Sequence, residues 1–316
     1  MRGFDNKFKD FPDYIIGITK EVWEDRGLGE AMERYYHPDV YVRMPGVFAR
    51  GEKGATAATM ATLVQFPDRT LLGEDVIWCG TPEEGMLSSH RIRSTATHLG
   101  DGAFGAPTGR KVVSLALADC FAQDNMISDE WLIRDNGGIV RQLGYEPREF
   151  TAERLNEMTP FTPAIDEDGP YLGRGNDNEW GAKTASLIER MMRAEFSVIS
   201  REYDRGAQLE YAGNRKGHSH EFADAFWLGL RSAFPSAEFK LNHVIGREDP
   251  MMPPRAAVRW SLDGKHDGWG MFGKPTGAPV HVMGITHVEY GPWGLRREWT
   301  LIDEVAIWAQ ILKHQG

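Results

Sequence analysis

Apolar residues recur at helical spacing early in the chain, at Tyr14, Ile15, Ile18, Val22 and Trp23 and then at Met32, Tyr35 and Tyr36, broken at Gly27 and Gly29. This spacing predicts two helices within residues 12–36. The period then changes. Residues 40–44 form a short predicted strand ended by Pro45-Gly46, and residues 56–65 a helix stopped before Pro67. Residues 70–78, 86–98, 111–123 and 126–134 read as strands parted by turn formers such as Thr81-Pro82 and Asp124-Asn125. Helices first and long antiparallel strands afterwards predict an α+β fold, a curved sheet with helices closing one face. Such a cone has an apolar interior suited to a small molecule.

The pattern then repeats. Phe104-Gly105-Ala106-Pro107-Thr108-Gly109 returns as Phe272-Gly273-Lys274-Pro275-Thr276-Gly277, an offset of 168. The same offset pairs Phe66-Pro67 with Phe234-Pro235, Arg91 with Arg259, His98 with His266, Glu130-Trp131 with Glu298-Trp299, Asp135 with Asp303 and Gln142 with Gln310. Upstream it slips by one, since Gly46 matches Gly213. The chain is therefore a tandem duplication, with domains expected at 10–145 and 179–316. Residues 146–178, holding Pro147, Pro160, Pro163 and Pro170 among several glycines, are expected to be a linker over the outside, with one short helix within 151–158. Residues 183–203 are the predicted leading helix of the second copy.

Composition narrows the function. Of 316 residues 41% are hydrophobic and 26% charged, an ordinary globular balance, and the net charge of −10 offers no basic footprint for nucleic acid or an anionic membrane. Two cysteines, Cys79 and Cys120, exclude a disulfide framework and CxxC zinc or redox motifs, and fit small core residues in a reducing compartment. No apolar run reaches the ~20 residues that span a bilayer, and the start has no signal-type segment, so a cytoplasmic location is expected. His218-Ser219-His220 lacks a third ligand at metal spacing, and Gly173-Arg174-Gly175 lacks the strand–turn–helix setting of a dinucleotide loop. No metal and no cofactor is signalled.

A two-residue turn at Asp124-Asn125 sets Gln123 opposite Met126 and hence Asp119 opposite Glu130. Alternation puts Trp131, Ile133 and Asp135 on one face and Glu130, Leu132 and Arg134 on the other. In the second copy Trp299, Leu301 and Asp303 share a face. An acidic residue ending an aromatic and aliphatic stripe suits the rim of an apolar cavity, where desolvation raises a carboxyl pKa into general acid/base range. The competing reading is a strand-end Asp that accepts cap or turn hydrogen bonds. His98 and His266, just before the Gly-rich segment, are proton partners on the first reading and satisfied surface histidines on the second. Phe104, Phe272 and Trp269 in or beside that segment, with Trp131 and Trp299, are the aromatic side chains expected to meet a ligand.

His98, Phe104-Gly105-Ala106-Pro107-Thr108-Gly109-Arg110, Glu130-Trp131, Asp135 and Gln142-Leu143-Gly144 together resemble the SnoaL-like polyketide cyclases, also described as ester cyclases, of the nuclear transport factor 2-like superfamily. Both copies carry the pattern. The second departs from it at Gln310-Ile311-Leu312, and Val280 there follows Pro279 where Lys111 precedes Val112 in the first. The resemblance implies two cone-shaped α+β barrels, each with a deep pocket and no cofactor. It implies Asp135 and Asp303 as acid/base groups assisted by His98 and His266, and an intramolecular aldol condensation of a hydrophobic or carbonyl-containing molecule. It also implies pairing through the open sheet faces, so the copies are expected to form an internal pseudo-dimer with Asp119 and His287 near its axis. The complete Gln142-Leu143-Gly144 ending favours the first copy where only one site works. A binding protein that holds a hydrophobic metabolite without chemistry is the alternative to an enzyme.

Overall fold

The computed structural model describes all 316 residues. In the first half, α1 (Phe11–Thr19) runs into a π-helical turn, and α2 (Glu30–Tyr35) leads into β1 (Tyr36–Met44), β2 (Val47–Arg50) and α3 (Gly51–Gln65). Four long strands follow, β3 (Thr70–Thr81), β4 (Gly85–Thr97), β5 (Lys111–Gln123) and β6 (Met126–Arg134), and then α4 (Asn136–Leu143). The strand order is β2-β1-β6-β5-β4-β3, with β1 parallel to β6 and the other pairs antiparallel. The sheet is curved and open, not a closed barrel.

The second half repeats this. After α5 (Pro147–Glu153), α6 (Glu179–Met192) and α7 (Ser197–Glu202) precede β7 (Tyr203–Tyr211), β8 (Arg215–His218) and α8 (His220–Ala233). β9 (Glu238–Arg247), β10 (Arg255–Lys265), β11 (Pro279–Gly291), β12 (Gly294–Leu301) and α9 (Glu304–Gln315) complete it, in the order β8-β7-β12-β11-β10-β9. The single helix expected over 183–203 is two, because Ala194 takes a left-handed φ of 66° and ends α6.

Asp124 and Asn125 have φ of 49° and 69°, the primed turn that matches strand twist. A bulge near Ser128 then shifts the register by one. Asp119 consequently pairs with Trp131, and Cys120 with Glu130. This inverts the expected faces of β6 alone: the Trp131 stripe turns outward with Asp119, which keeps its expected side, and Glu130, Leu132 and Arg134 turn inward.

The outward faces meet across an approximate two-fold. The Arg91 guanidinium lies 3.5 Å from the Trp299 ring and Arg259 lies 3.7 Å from Trp131, equivalent contacts under the repeat offset. Arg259 Nε donates to Asp119 at 2.9 Å, and the Ser89 hydroxyl donates to the other Asp119 oxygen at 2.6 Å. His287 Nε2 is 2.8 Å from the same hydroxyl, whose proton is committed to Asp119, so the imidazole is the donor there. Asp119 and His287 thus meet through Ser89. The chain is an intramolecular pseudo-dimer.

The linker does more than cross the outside. Tyr171 is wedged between the halves, its ring on Phe121 and its hydroxyl 2.5 Å from His243 Nε2. Its backbone N–H donates to buried Asp129, which also holds Arg43 at 2.8 Å. No helix is long and apolar enough to cross a membrane.

Candidate functional site

The concave face of the first sheet, closed by α1 and α3, surrounds a cavity of about 410 Å³. Ile15, Ile18, Ile92 and Leu132 make much of its wall apolar. The repeat does not close it alone. Met158 and Pro160 of the linker and Asp303, Val305 and Ala309 of the second half's last helix and its cap also line it. One copy of the fold therefore completes the other's cavity.

Glu130 enters this space from β6, and its only hydrogen bond is from the Tyr36 hydroxyl at 3.2 Å. Burial pushes its carboxyl up to about 7, with Arg134 and Tyr36 opposing the shift. A group with that pKa can take or give a proton near neutrality. His90, on β4 in the same wall, is pushed down to about 3 by burial and by Arg91, so it stays neutral, and its Nε2 has no partner. Burial holds the Cys120 thiol well above its ordinary range and leaves it a poor nucleophile. Sequence reasoning missed Glu130 because the Ser128 bulge is invisible to strict alternation.

The equivalent space in the second half is filled. Trp227 and Trp260, both fully buried, stand where the first half has Thr59 and Ile92. Glu298, the counterpart of Glu130, accepts from Tyr203 at 2.7 Å, Tyr211 at 2.9 Å, Trp227 at 3.1 Å and Thr300 at 2.6 Å. Trp260 Nε1 donates to Thr286, which is 3.0 Å from the Thr300 hydroxyl. The polar groups around Glu298 thus satisfy one another.

Of the site residues singled out from the sequence, only Asp303 and Phe104 line the first half's cavity. Asp135 caps α4: one oxygen accepts from Gly138 N at 2.9 Å and from Gly213 N at 2.6 Å, and the other from Asn214 N at 2.7 Å. It is buried, but absent from the cavity wall. Asp303 caps α9 through the backbone N–H groups of Val305 and Ala306 and accepts from Asn136 at 2.6 Å, while lining the first half's cavity. Burial pushes both carboxyls up to about 6. His98 Nδ1 lies 3.3 Å from the Thr108 hydroxyl and His266 Nδ1 lies 3.1 Å from that of Thr276, and each ring packs on a phenylalanine, Phe66 or Phe234. The backbone of each histidine also ties down its Gly-rich turn. Neither histidine is hydrogen-bonded to an aspartate.

The aromatic residues need correction too. Trp131 and Trp299 lie at the pseudo-dimer interface under Arg259 and Arg91, placed there by the bulge. Trp269 is 68% exposed on a loop, and Phe272 is buried among Phe234, His266 and Trp308 in the filled half. Phe104 alone of the five lines the cavity.

The molecule is thus a duplicated α+β cone protein with one open and one filled interior. No protein-family model matches the chain, and no curated protein does. Among solved structures it is similar to IdmH, a candidate polyketide cyclase of Streptomyces antibioticus (26% identity, 42% of this chain and 97% of that one, TM-score 0.36). It is also similar to AclR, a candidate hydroxylase of Streptomyces galilaeus (18%, 43% and 96%, TM-score 0.36). A SnoaL-like polyketide cyclase of Agrobacterium tumefaciens matches likewise (16%, 44% and 99%, TM-score 0.33).

Proposed function

We propose that the first half is a cofactor-free acid/base site for a small carbonyl compound, with Glu130 as the proton-transferring group. The observation that carries this is a carboxyl at about 7, short of hydrogen-bond partners, inside a largely apolar cavity. The ionised carboxylate removes a proton from the carbon beside a carbonyl. The resulting enolate carbon attacks a second carbonyl of the same molecule, a C–C bond closes the ring, and the proton on Glu130 returns to the new alkoxide. Nothing is oxidised, and no co-substrate is consumed. This keeps the aldol chemistry that the sequence resemblance implies and moves its acid/base group from Asp135 to Glu130.

Exchange of the α-protons of 2-tetralone for solvent deuterium, followed by NMR, tests the proton step without the natural substrate. The protein should accelerate exchange, and the rate should rise as pH increases through about 7 and then level, because only ionised Glu130 is a base. Glu130→Gln should lower the rate by about 10²–10⁴, and Glu298→Gln should leave it unchanged. A Glu130→Gln protein that exchanges at the unmodified rate overturns the proposal and leaves a site that binds without chemistry.

A further inference from the structure

Two guanidinium groups face the cavity with nothing to hold. Arg69, in the turn between α3 and β3, has its Nε buried without a hydrogen-bond partner. Arg134, at the end of β6, lines the same space and makes neither a hydrogen bond nor an ion pair with the protein. Burial weakens the hold of both on their protons, and the charge of Arg134 helps push Arg69 down to about 9. An unpaired guanidinium out of water is unfavourable, so buried arginines are normally paired. Elsewhere in this chain they are: Arg43 meets Asp129 at 2.8 Å, Arg259 meets Asp119 at 2.9 Å and Arg91 meets Glu74 at 3.0 Å.

The duplication supplies a control. At the positions of Arg69 and Arg134 the second half has Ala237 and Ile302, both buried in its filled core. Ser94 and Ser114 of the cavity wall become Leu262 and Val282 in the same way. The arginine pair therefore occurs only in the half that has room for a ligand, and no fold-level requirement explains it. No carboxyl on the same lining pairs with either arginine. Glu130 and Asp303 act on Arg134 through their charge alone, Asp303 having both oxygens engaged by Asn136 and two backbone N–H groups, and Glu157 belongs to the linker.

We infer that Arg69 and Arg134 form the anion-binding end of the cavity, and that its ligand is a largely apolar molecule bearing one carboxylate. Guanidinium donors match a carboxylate in charge and in forked geometry. Arg134 and Glu130 share a face of β6 four residues apart, about 13 Å along the strand. A carboxylate anchored on the arginines therefore directs the apolar body of the ligand toward Glu130. This rests on the cavity being the substrate site proposed above.

Calorimetric titration with 2-naphthoate and with its uncharged methyl ester tests the inference. The acid should bind at least about tenfold more tightly than the ester, as expected for charge-assisted hydrogen bonds. Arg69→Met and Arg134→Met should each weaken naphthoate by about tenfold or more and leave the ester's affinity within a factor of about two. Arg134→Lys, which keeps a charge but loses the fork, should fall between. Melting curves establish that each variant is folded. Equal affinity for acid and ester, naphthoate affinity indifferent to both arginines, or no binding of either probe overturns the inference. Glu130→Gln separates the two readings: naphthoate affinity retained with tetralone exchange lost supports both, and affinity retained with exchange unchanged removes only the catalytic one.

Discussion

Glu298 is surrounded by four donors, from Tyr203, Tyr211, Trp227 and Thr300, while Glu130 at the same point of the other repeat meets Tyr36 alone. Burial raises both carboxyls, but their surroundings differ in what remains to be satisfied. Around Glu298 the positions of Ile92, Ala118 and Leu132 have become Trp260, Thr286 and Thr300, which link hydroxyl, indole and carboxylate into one closed network. Around Glu130 those positions are apolar and the space between them is empty. One copy has invested its interior in packing, and the other has kept room for a ligand. The filled copy still serves the open one, since α9 and its N-cap contribute Asp303, Val305 and Ala309 to the cavity lining.

The most severe way to break this difference is to move the plug. Ile92→Trp places in the open half the ring that Trp260 supplies in the filled one, and a side chain of that size occupies the ligand's space. We expect 2-naphthoate binding to disappear and tetralone exchange to fall to the uncatalysed rate, with the fold retained by circular dichroism. Undiminished binding in Ile92→Trp means that the ligand space lies elsewhere. The reverse change tests packing. Trp260→Ala removes a fully buried ring and one of the two hydrogen-bond partners of the Thr286 hydroxyl, and should cost about 3–5 kcal/mol in denaturant unfolding. Ile92→Ala should cost about 1–2 kcal/mol, because its side chain already borders a cavity and has fewer neighbours to lose. Equal losses at the two positions mean that the first interior is as tightly packed as the second.

Much of the architecture is legible in the sequence. The fixed offset from Phe66 to Gln142 exposes the duplication, the hairpin turn at Asp124-Asn125 locates β5 and β6 to the residue, and Asp119 and His287 both lie at the interface, bridged by Ser89 rather than touching. The site is less legible, for two physical reasons. A one-residue bulge reverses inside and outside along β6, so a strand read by alternation presents Trp131 to the ligand and hides Glu130. The second reason is that recurrence between the copies marks what the fold needs. His98 and His266 hold the same turn through Thr108 and Thr276, and Asp135 and Asp303 cap the same helix, in the empty half and the filled half alike. What separates the open interior from the filled one lies at the positions at which the copies differ, such as Ile92 against Trp260 and Arg134 against Ile302, and those differences are in the sequence as plainly as the identities.

The smallest effect tests whether Asp135 belongs to the fold or to the chemistry. Its carboxylate accepts three backbone N–H groups, two of them from the other half at Gly213 and Asn214, so it caps α4 and fastens the repeats together. Asn keeps one acceptor oxygen and turns an amide donor toward the remaining N–H. Asp135→Asn should therefore lower stability by about 1–2 kcal/mol and leave tetralone exchange unchanged. Burial outweighs the amide donors and raises this carboxyl from 3.8 to about 6, so the native state holds its proton longer than the unfolded chain does. The associated stability is fully present below 3.8 and is lost as pH rises through about 6. The Asn variant lacks that part of the slope, and the gap between the two unfolding curves should change across this window. If Asp135→Asn instead slows exchange as much as Glu130→Gln while its unfolding curve stays put, the proton is moved by Asp135, and the contrast between Glu130 and Glu298 concerns packing alone.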